Sequence, residues 1–147
     1  MRVPGLLHLL EVVLEDIPYG LSIGTPNGRV VCYNRAMQQI SGYTKDEVNE
    51  SGWFDLVFPD EQERSDAVAK AKRSLNGLLS YTEADITCKD GTRKTVAFFL
   101  ADTVIDHRKY NFGIMIPLDQ VFHRTELEME TAYGLYRKLR AQVDSLN

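Results

Sequence analysis

The hydrophobic positions near the N-terminus follow the spacing of a helix. Apolar residues recur three or four positions apart in two neighbouring rows, Leu6, Leu10, Val13 and Ile17 in one and Leu9 and Val12 in the other. This spacing predicts a helix with a wide apolar face, which Pro18 ends because proline cannot continue it. We expect the face to pack on the chain's own core. Its width also suggests a contact with a second copy, for which Leu10 and Val13 are the candidates.

Runs of alternating or continuous apolar residues predict strands further along the chain. Two of them flank a hairpin turn at Asn27-Gly28, and they are Gly20 to Ile23 and Arg29 to Tyr33. Three more lie in the second half, with a turn at Asp90-Gly91, and they are Tyr81 to Cys88, Thr95 to Ile105 and Tyr110 to Ile116. A charged loop over residues 106–109 is expected before the last strand. Two strands, then helices, then three strands predict an antiparallel α+β fold.

Polar residues and glycine mark short helices after the second strand. Asn34 can cap a helix over Arg35 to Ser41, which Gly42 ends by taking a left-handed conformation. Thr44 and Glu47 have the spacing of a capping box, so another short helix follows at once.

A longer helix is predicted to open at Pro59-Asp60, with Glu63 placed to complete a second cap, and to close at Asn76-Gly77. Its apolar row consists of Ala67, Ala71 and Leu75. The small alanines let this helix approach a sheet closely or leave room for a bound molecule.

From Leu118 onward the apolar positions change to heptad spacing, alternately four and three residues apart. They are Leu118, Phe122, Thr125, Met129, Ala132, Tyr136, Leu139, Val143 and Leu146, of which only Thr125 is polar. The remaining residues are mainly charged, so the helix is expected to pair with another helix, most simply its own copy. The candidate dimer and signalling residues here are Asp119, Phe122, Met129, Leu139 and Val143.

Composition and charge restrict the class of protein. The chain has 147 residues, 44% of them hydrophobic, enough for one core without disulfides or metal. Its net charge is -4 and its basic residues are scattered, which argues against nucleic acid as a partner. The apolar N-terminus is interrupted by Glu11 and is shorter than the roughly 20 residues of a membrane span. We therefore expect a cytoplasmic protein without direct membrane insertion.

The cysteines and histidines do not indicate a metal site. Cys32 and Cys88 lie in apolar, strand-like runs, where a free thiol behaves as a small hydrophobic group. A disulfide between them is disfavoured because no secretory context supports it. His8, His107 and His123 fall on an apolar helix, a charged loop and the heptad segment, without metal-ligand spacing.

Several short motifs, taken in order, resemble those of a PAS domain from about Leu14 to Val121. They are Asn34 with Ala36, Gly42-Tyr43-Thr44 with Glu47, Trp53, Pro59-Asp60-Glu61, Lys89-Asp90-Gly91, and Asp119 at the junction with the last helix. Of the Asp-Ile-Thr-like junction of such domains, only the aspartate is kept. The resemblance implies a five-stranded antiparallel sheet of order 2-1-5-4-3 with helices on one face, an N-terminal helix and a C-terminal coiled-coil helix.

The resemblance also implies that the concave face of the sheet and its helices enclose a cavity for a small molecule, and a filled core is the alternative. The candidate ligand-binding residues are those expected to face inward, namely Cys32, Ile40, Trp53, Phe54, Ala67, Ala71, Leu75, Ile86, Phe98 and Ile114.

Three cofactor types known among PAS domains are disfavoured by the residues present. Covalent flavin needs an Asn-Cys-Arg-type motif, and residues 50–58 contain no cysteine. A thioester chromophore needs a cysteine just after a proline, where this chain has Asp60. Haem needs a histidine on the long helix, and residues 60–79 contain none. Non-covalent flavin held beside Trp53 remains open.

These patterns favour a sensor module over an enzyme. For an isomerase-like enzyme the chain offers only Tyr33, Tyr81 and Glu83, and Glu83 and Asp85 are expected to face solvent. We expect an N-terminal helix at residues 1–17, a sensor domain at 18–118 and a signalling helix at 119–147. The ligand or partner state of the sensor would pass through this helix to an output domain of a histidine kinase, diguanylate cyclase or transcriptional regulator. The alternative is a ligand-free dimerisation or scaffold module.

Overall fold

The computed structural model describes residues 5–74 and 80–118 and seven positions of the C-terminal segment, Gly134, Arg137, Lys138, Arg140, Ala141, Gln142 and Asp144. The helices and strands in chain order are α1 (Gly5–Leu14), β1 (Gly20–Gly24), β2 (Val30–Tyr33), α2 (Arg35–Ser41), α3 (Lys45–Ser51), α4 (Trp53–Val57), α5 (Glu61–Ser74), β3 (Ser80–Thr87), β4 (Arg93–Ile105) and β5 (Arg108–Pro117). All neighbouring strands are antiparallel and lie in the order β2-β1-β5-β4-β3, which confirms the expected sheet.

The sheet separates two hydrophobic cores. On one face, α1 packs Leu7, Leu10 and Leu14 against the inner strands. On the other face, α2 to α5 cover a second core that includes Met115 and Ile86. The short helices therefore lie on one face, as expected, while α1 closes the opposite face. Because the central strands are buried on both faces, almost all of their residues are apolar.

The side chain of Asn34 joins the first helix, the first strand and the second helix. Its Oδ1 accepts hydrogen bonds from the main-chain N–H groups of Leu21 at 2.9 Å and Met37 at 3.1 Å. Its Nδ2 donates to the carbonyls of Leu14 and Tyr19, both at 2.9 Å. The residue is only 2% exposed, so its amide replaces water for four main-chain groups, three of them in buried hydrogen bonds. The predicted helix cap is confirmed, and it serves three elements at once.

Helix α1 ends three residues earlier than the apolar spacing predicts. Two donors bind the carbonyl of Leu14, the amide of Asn34 at 2.9 Å and the N–H of Ile17 at 3.2 Å. Because these bonds take over the last carbonyl, the chain turns away before Pro18. The apolar spacing extends beyond the end of the helix because Ile17, in the turn that follows, also packs on the core.

The other helix ends follow the local signals. Gly42 ends α2 with φ of 83°, and Thr44 and Glu47 form both hydrogen bonds of a capping box at the start of α3. Asp60 Oδ2 accepts the N–H of Glu63 at 2.9 Å at the start of α5. The closing pair predicted for this helix, Asn76-Gly77, lies outside the described residues.

The loop between β4 and β5 is shorter than the charged loop predicted over residues 106–109. Only Asp106 and His107 form the turn, with φ of 50° and 63°, the left-handed pair typical of a tight hairpin. Because two residues suffice, β4 and β5 pair up to Ile105 and Arg108.

Strand β2 forms one edge of the sheet, and the side chain of Asn49 covers part of this edge. The N–H of Val30 donates to Asn49 Oδ1 at 2.8 Å, and Asn49 Nδ2 donates to the carbonyl of Val30 at 3.1 Å. The amide therefore occupies the position that a neighbouring strand would take.

Candidate ligand-binding cavity

A cavity of about 800 Å³ lies between the sheet and the helices α4 and α5. Its floor is formed by alternate residues of the strands, among them Ser22, Phe98 and Gly113. Its wall includes Trp53 and Ala67. The volume lies within the range of pockets that enclose a drug-sized organic molecule.

The structure brings half of the predicted ligand-binding residues to this cavity. Those that line it are Trp53, Phe54, Ala67, Ala71 and Phe98. Ile40 and Ile86 belong to the same core but pack beside the cavity without lining it. Leu75 lies outside the described residues.

Cys32 and Ile114 are on the wrong face of the sheet for the predicted role. Along β2, Tyr33 faces the cavity, so Cys32 faces α1, where its thiol lies 3.6 Å from the carbonyl of Leu7. Along β5, Gly113 lines the cavity and Ile114 packs in the core under α1. Successive strand residues face opposite ways, and both faces are apolar here.

Burial, together with the smaller effect of the nearby carboxylate of Glu11, raises the pKa of the Cys32 thiol to about 12. The thiol therefore stays protonated at neutral pH and acts as a packing group. Cys88 is also a free, buried cysteine, and it lies in the core on the cavity side.

Aromatic side chains form the helical wall of the cavity. The rings of Tyr33 and Trp53 meet edge to face at 6.3 Å, and those of Phe54 and Phe58 stack at 6.1 Å. Trp53, Phe54 and Phe98 are only half-buried although they lie in the core, because they face the cavity. Apolar ring surface is thus available inside the domain.

The hydroxyl of Tyr33 is not placed to act as an acid or base in the cavity. Its hydroxyl is 2.8 Å from the Oγ of Ser41, which is fully buried. Burial raises the pKa of Tyr33 to about 12, although the hydrogen bond to Ser41 opposes that shift. The hydroxyl is held in the core, which removes one of the residues considered for an isomerase-like enzyme.

Two hydrogen-bonding side chains on the floor were missed by the sequence analysis. Ser22 of β1 and Asn111 of β5 both line the cavity beside two glycines. A Cβ on Gly113 would lie 2.9 Å from Ser22 Oγ, and a Cβ on Gly24 would lie 2.9 Å from Asn111 Oδ1. The glycines thus leave both polar groups in place on the floor. Glycine inside a strand is the signal that could have indicated this close approach.

Carboxylates border the cavity where its lining residues reach solvent. Asp66 of α5 and Glu83 and Asp85 of β3 are exposed and line the cavity. The side chains of Glu83 and Asp85 lie opposite Ala97 and Thr95, on the face of the sheet away from the cavity, so they face solvent as expected and only the edge of their strand borders the cavity. Asp55 and Glu63 line it too, each paired with an arginine, Arg64 at 3.3 Å and Arg93 at 3.2 Å respectively.

The two residues of α1 predicted for dimer contact differ in exposure. Leu10 is 4% exposed and belongs to the chain's own core under α1, so its predicted contact with a second copy is wrong. Val13 is 53% exposed on the outer side of the same helix, beside Leu9 and Val12. The others, Asp119, Phe122, Met129, Leu139 and Val143, lie outside the described residues.

The described positions of the C-terminal segment are helical, and one of them contacts the sheet. The guanidinium of Arg140 donates to the carbonyl of Asp102 in β4 and lies 3.5 Å from the carboxylate of Asp144. The Asp102 carboxylate pairs with Lys109 at 3.0 Å. This end of the chain thus touches β4 two residues beyond Leu100, which lines the cavity.

The described part of the chain contains neither a metal-binding cluster nor a membrane-spanning helix. No group of three or more His, Cys, Asp or Glu residues there is arranged to hold a metal ion. No helix among these residues has the length and apolar character needed to cross a membrane.

Comparisons with known proteins place this fold in a family. The family model described as PAS fold matches residues 8–97, more than half of the chain, so the chain belongs to the PAS family. PAS domains are regulatory sensory modules of signalling proteins, in which they commonly accompany output domains and often form dimers. No curated protein sequence matches the chain.

Several solved structures share the fold. The RsLOV d2 variant is 17% identical with a TM-score of 0.80, covering 98% of this chain and 84% of its own. The LOV protein of Rhodobacter sphaeroides is 16% identical with a TM-score of 0.65, covering 79% and 69%. The PAS domain of an HTR-like protein from Haloarcula marismortui is 15% identical with a TM-score of 0.61, covering 75% and 89%. At these identities the similarity establishes the fold alone.

Proposed function

We propose that this PAS domain is a cytoplasmic sensor that binds a small organic molecule in the cavity between the sheet and α5. The observation that carries the proposal is the cavity of about 800 Å³ with half-buried Trp53, Phe54 and Phe98 on its surface. Large aromatic groups in a close-packed core would be covered by neighbours. Here they are left for a ligand to cover.

The sensor state is passed on through the C-terminal helix. In this proposal residues 1–17 are the N-terminal segment that contains α1, 18–118 are the sensor and 119–147 are a signalling helix that pairs with its copy and leads to an output domain. The contact of Arg140 with Asp102 supports a link between the last helix and β4. A ligand that favours one arrangement of the strands would then shift the populations of two helix arrangements.

Native mass spectrometry of freshly purified protein, with an absorption spectrum of the same sample, tests ligand binding. We expect each 16.7 kDa chain to carry additional non-covalent mass that is lost on unfolding. An absorption band beyond that of the aromatic residues would indicate a chromophore such as flavin. Protein without additional mass that also fails to take up small molecules in binding experiments would contradict the proposal.

Dimer formation through the last helix is tested by charged substitutions in its apolar seam. Leu139→Glu with Val143→Glu is expected to convert a dimer into a monomer in sedimentation velocity, because charges do not fit a coiled-coil seam. Lys138→Glu with Ala141→Glu is the matched control, since both positions are exposed. An unchanged dimer in the first variant would count against pairing through this helix.

A ligand-free dimerisation module is the second candidate function. It is favoured by the outer side of α1, where Leu9, Val12 and Val13 are each more than half exposed. Apolar patches of this kind are typical of interaction surfaces. A stable dimer that never retains a small molecule would favour this function over sensing.

A further inference from the structure

We infer that the molecule taken up by the cavity is an uncharged compound with a planar ring and hydrogen-bonding groups on its rim. This inference rests on the proposed sensing function and names its ligand class. Three features of the cavity lead to it: acids at its border that have basic neighbours, a floor of glycines and uncharged polar side chains, and half-buried aromatic side chains on its wall.

The border of the cavity has no excess of charge of either sign. Its acids have basic neighbours, and the pairs are Asp55 with Arg64 at 3.3 Å, Glu63 with Arg93 at 3.2 Å, and Asp66 with Lys70 one helical turn later on α5. The side chains of Glu83 and Asp85 point to the opposite face of the sheet. The border therefore does not select a cation over an anion.

The polar side chains inside the cavity are uncharged as well. Ser22 and Asn111 lie on the floor, and Thr82 of β3 lies opposite Phe98 on the same face of the sheet. All four residues are half-buried. An ion that entered would exchange water for neutral groups, so its desolvation would remain uncompensated. The interior therefore favours an uncharged molecule over an ion.

Two of these polar groups are available to a ligand. No described residue forms a hydrogen bond with the Ser22 hydroxyl, and none donates to Asn111 Oδ1, while Asn111 Nδ2 donates to the carbonyl of Thr25 at a long 3.4 Å. A hydroxyl and an amide can each donate and accept. Ser22 and Asn111 are diagonal neighbours on paired strands, roughly 7 Å apart. One small molecule can therefore reach both.

Glycines occupy the other two positions of this part of the floor. Gly113 lies opposite Ser22, and Gly24 lies opposite Asn111. A Cβ at either glycine would lie 2.9 Å from the polar side-chain oxygen opposite it. Without side chains at these positions, the main chain between the two polar groups is left bare, and a flat ring can lie on it.

The wall of the cavity also favours a ring. Trp53 and Phe54 are half-buried and line the cavity, and the ring of Tyr33 holds Trp53 by an edge-to-face contact at 6.3 Å. Aromatic side chains pack on other rings in offset-stacked or edge-to-face arrangements. They also gain from covering apolar surface. Wall and floor thus both favour a planar ring over a branched aliphatic body.

Four probes of similar size test the inference: phenylacetamide, phenethylamine, phenylacetate and cyclohexylacetamide. Trp53 is the single tryptophan, so its indole N–H signal in a nitrogen-proton correlation spectrum reports binding at the wall. Phenylacetamide is expected to bind with a dissociation constant at least about tenfold below those of the amine and the carboxylate, because only the ions lose their hydration. Cyclohexylacetamide, with a puckered ring, should bind several-fold more weakly than phenylacetamide.

A carboxylate placed on the floor should reverse the preference. Asn111→Asp changes the charge at constant size, and it is expected to make phenethylamine bind more tightly than phenylacetamide because the ammonium group then has a partner. Gln39→Glu is the control, since Gln39 is exposed on α2 and does not line the cavity. It adds the same charge elsewhere and should leave the order of the probes unchanged.

Removal of a floor hydroxyl tests the hydrogen bonds separately. Ser22→Ala is expected to weaken phenylacetamide binding several-fold, because one hydrogen bond to the ligand is lost. Ser51→Ala is its control, since Ser51 is exposed at the end of α3 and does not line the cavity. Thermal unfolding of all variants verifies that they remain folded.

The outcomes separate the inference from the proposed function. Binding of either ion as tightly as phenylacetamide would overturn the uncharged class while ligand binding itself would stand. The same holds if a molecule that copurifies with the protein proves, from its exact mass, to be an ion at neutral pH. A Trp53 signal that responds to none of the probes, in a protein that carries no additional mass in the native spectrum, would overturn both.

Discussion

Replacing Asn34 by leucine is expected to lower the free energy of unfolding by about 3 to 5 kcal/mol, or to prevent folding altogether. The leucine matches the asparagine in size but offers neither a donor nor an acceptor. The N–H groups of Leu21 and Met37 and the carbonyls of Leu14 and Tyr19 would lose their buried partner together. Urea denaturation followed by circular dichroism measures the change.

Asn49 provides the matched control for this experiment. Its amide makes two main-chain hydrogen bonds, both to Val30, at a half-buried position on the sheet edge. Asn49→Leu is expected to cost only about 1 kcal/mol, because water can replace the lost partner there. Equal decreases in the free energy of unfolding of the two variants would show that the hydrogen bonds of Asn34 contribute no more to stability than those of Asn49.

Replacing Ala71 by phenylalanine is expected to abolish ligand binding, by roughly a hundredfold or more, while leaving the fold intact. Ala71 lies on α5 and lines the cavity, so the added ring would enter the empty space of the cavity. The midpoint of thermal unfolding should stay the same or rise, because the ring fills a void. Native mass spectrometry of the purified variant should show chains without additional mass.

Lys72→Phe is the control for this substitution. Lys72 is the next residue of α5, but it is exposed and does not line the cavity. The same residue type on the outer side should leave ligand retention unchanged. Retention of ligand by Ala71→Phe would move the binding site away from this cavity.

The sequence predicted those parts of the fold that depend on local chemistry. Asn34, Gly42 and the pair Thr44 and Glu47 act on main-chain groups within a few residues, and each lies at the predicted helix end. The order of the strands in the sheet was predicted in another way, from the resemblance of several motifs to those of a PAS domain. Spacing of apolar residues alone does not order strands in a sheet.

The faces of the central strands were harder to assign. In β5 the residues from Phe112 to Pro117 are all buried, and in β4 Val96 and Ala97 are buried on opposite faces. An apolar run of this kind carries no alternation, so it does not tell which residues face a cavity. Ile114 and Cys32 were assigned to the cavity for this reason.

The polar groups of the cavity floor could not be found from the sequence because they come from distant positions. Ser22 and Asn111 lie next to the same glycine-lined surface only because β1 pairs with β5 in a register that sets Ser22 opposite Gly113 and Gly24 opposite Asn111. That register depends on the packing of the whole sheet. Ala71 was predicted from the spacing of the apolar row on the long helix, and Trp53 was predicted from the family resemblance.

Asn49 also limits how sheets of different molecules can join. Its side chain already uses the N–H and the carbonyl of Val30, so an incoming strand finds no free partner there on β2. Edge-to-edge association is therefore disfavoured at β2, whereas β3 forms the other edge of the sheet. Val30 is one of the four residues of β2, so covering it makes extension of the sheet at this edge less favourable and disfavours the growth of fibrils there.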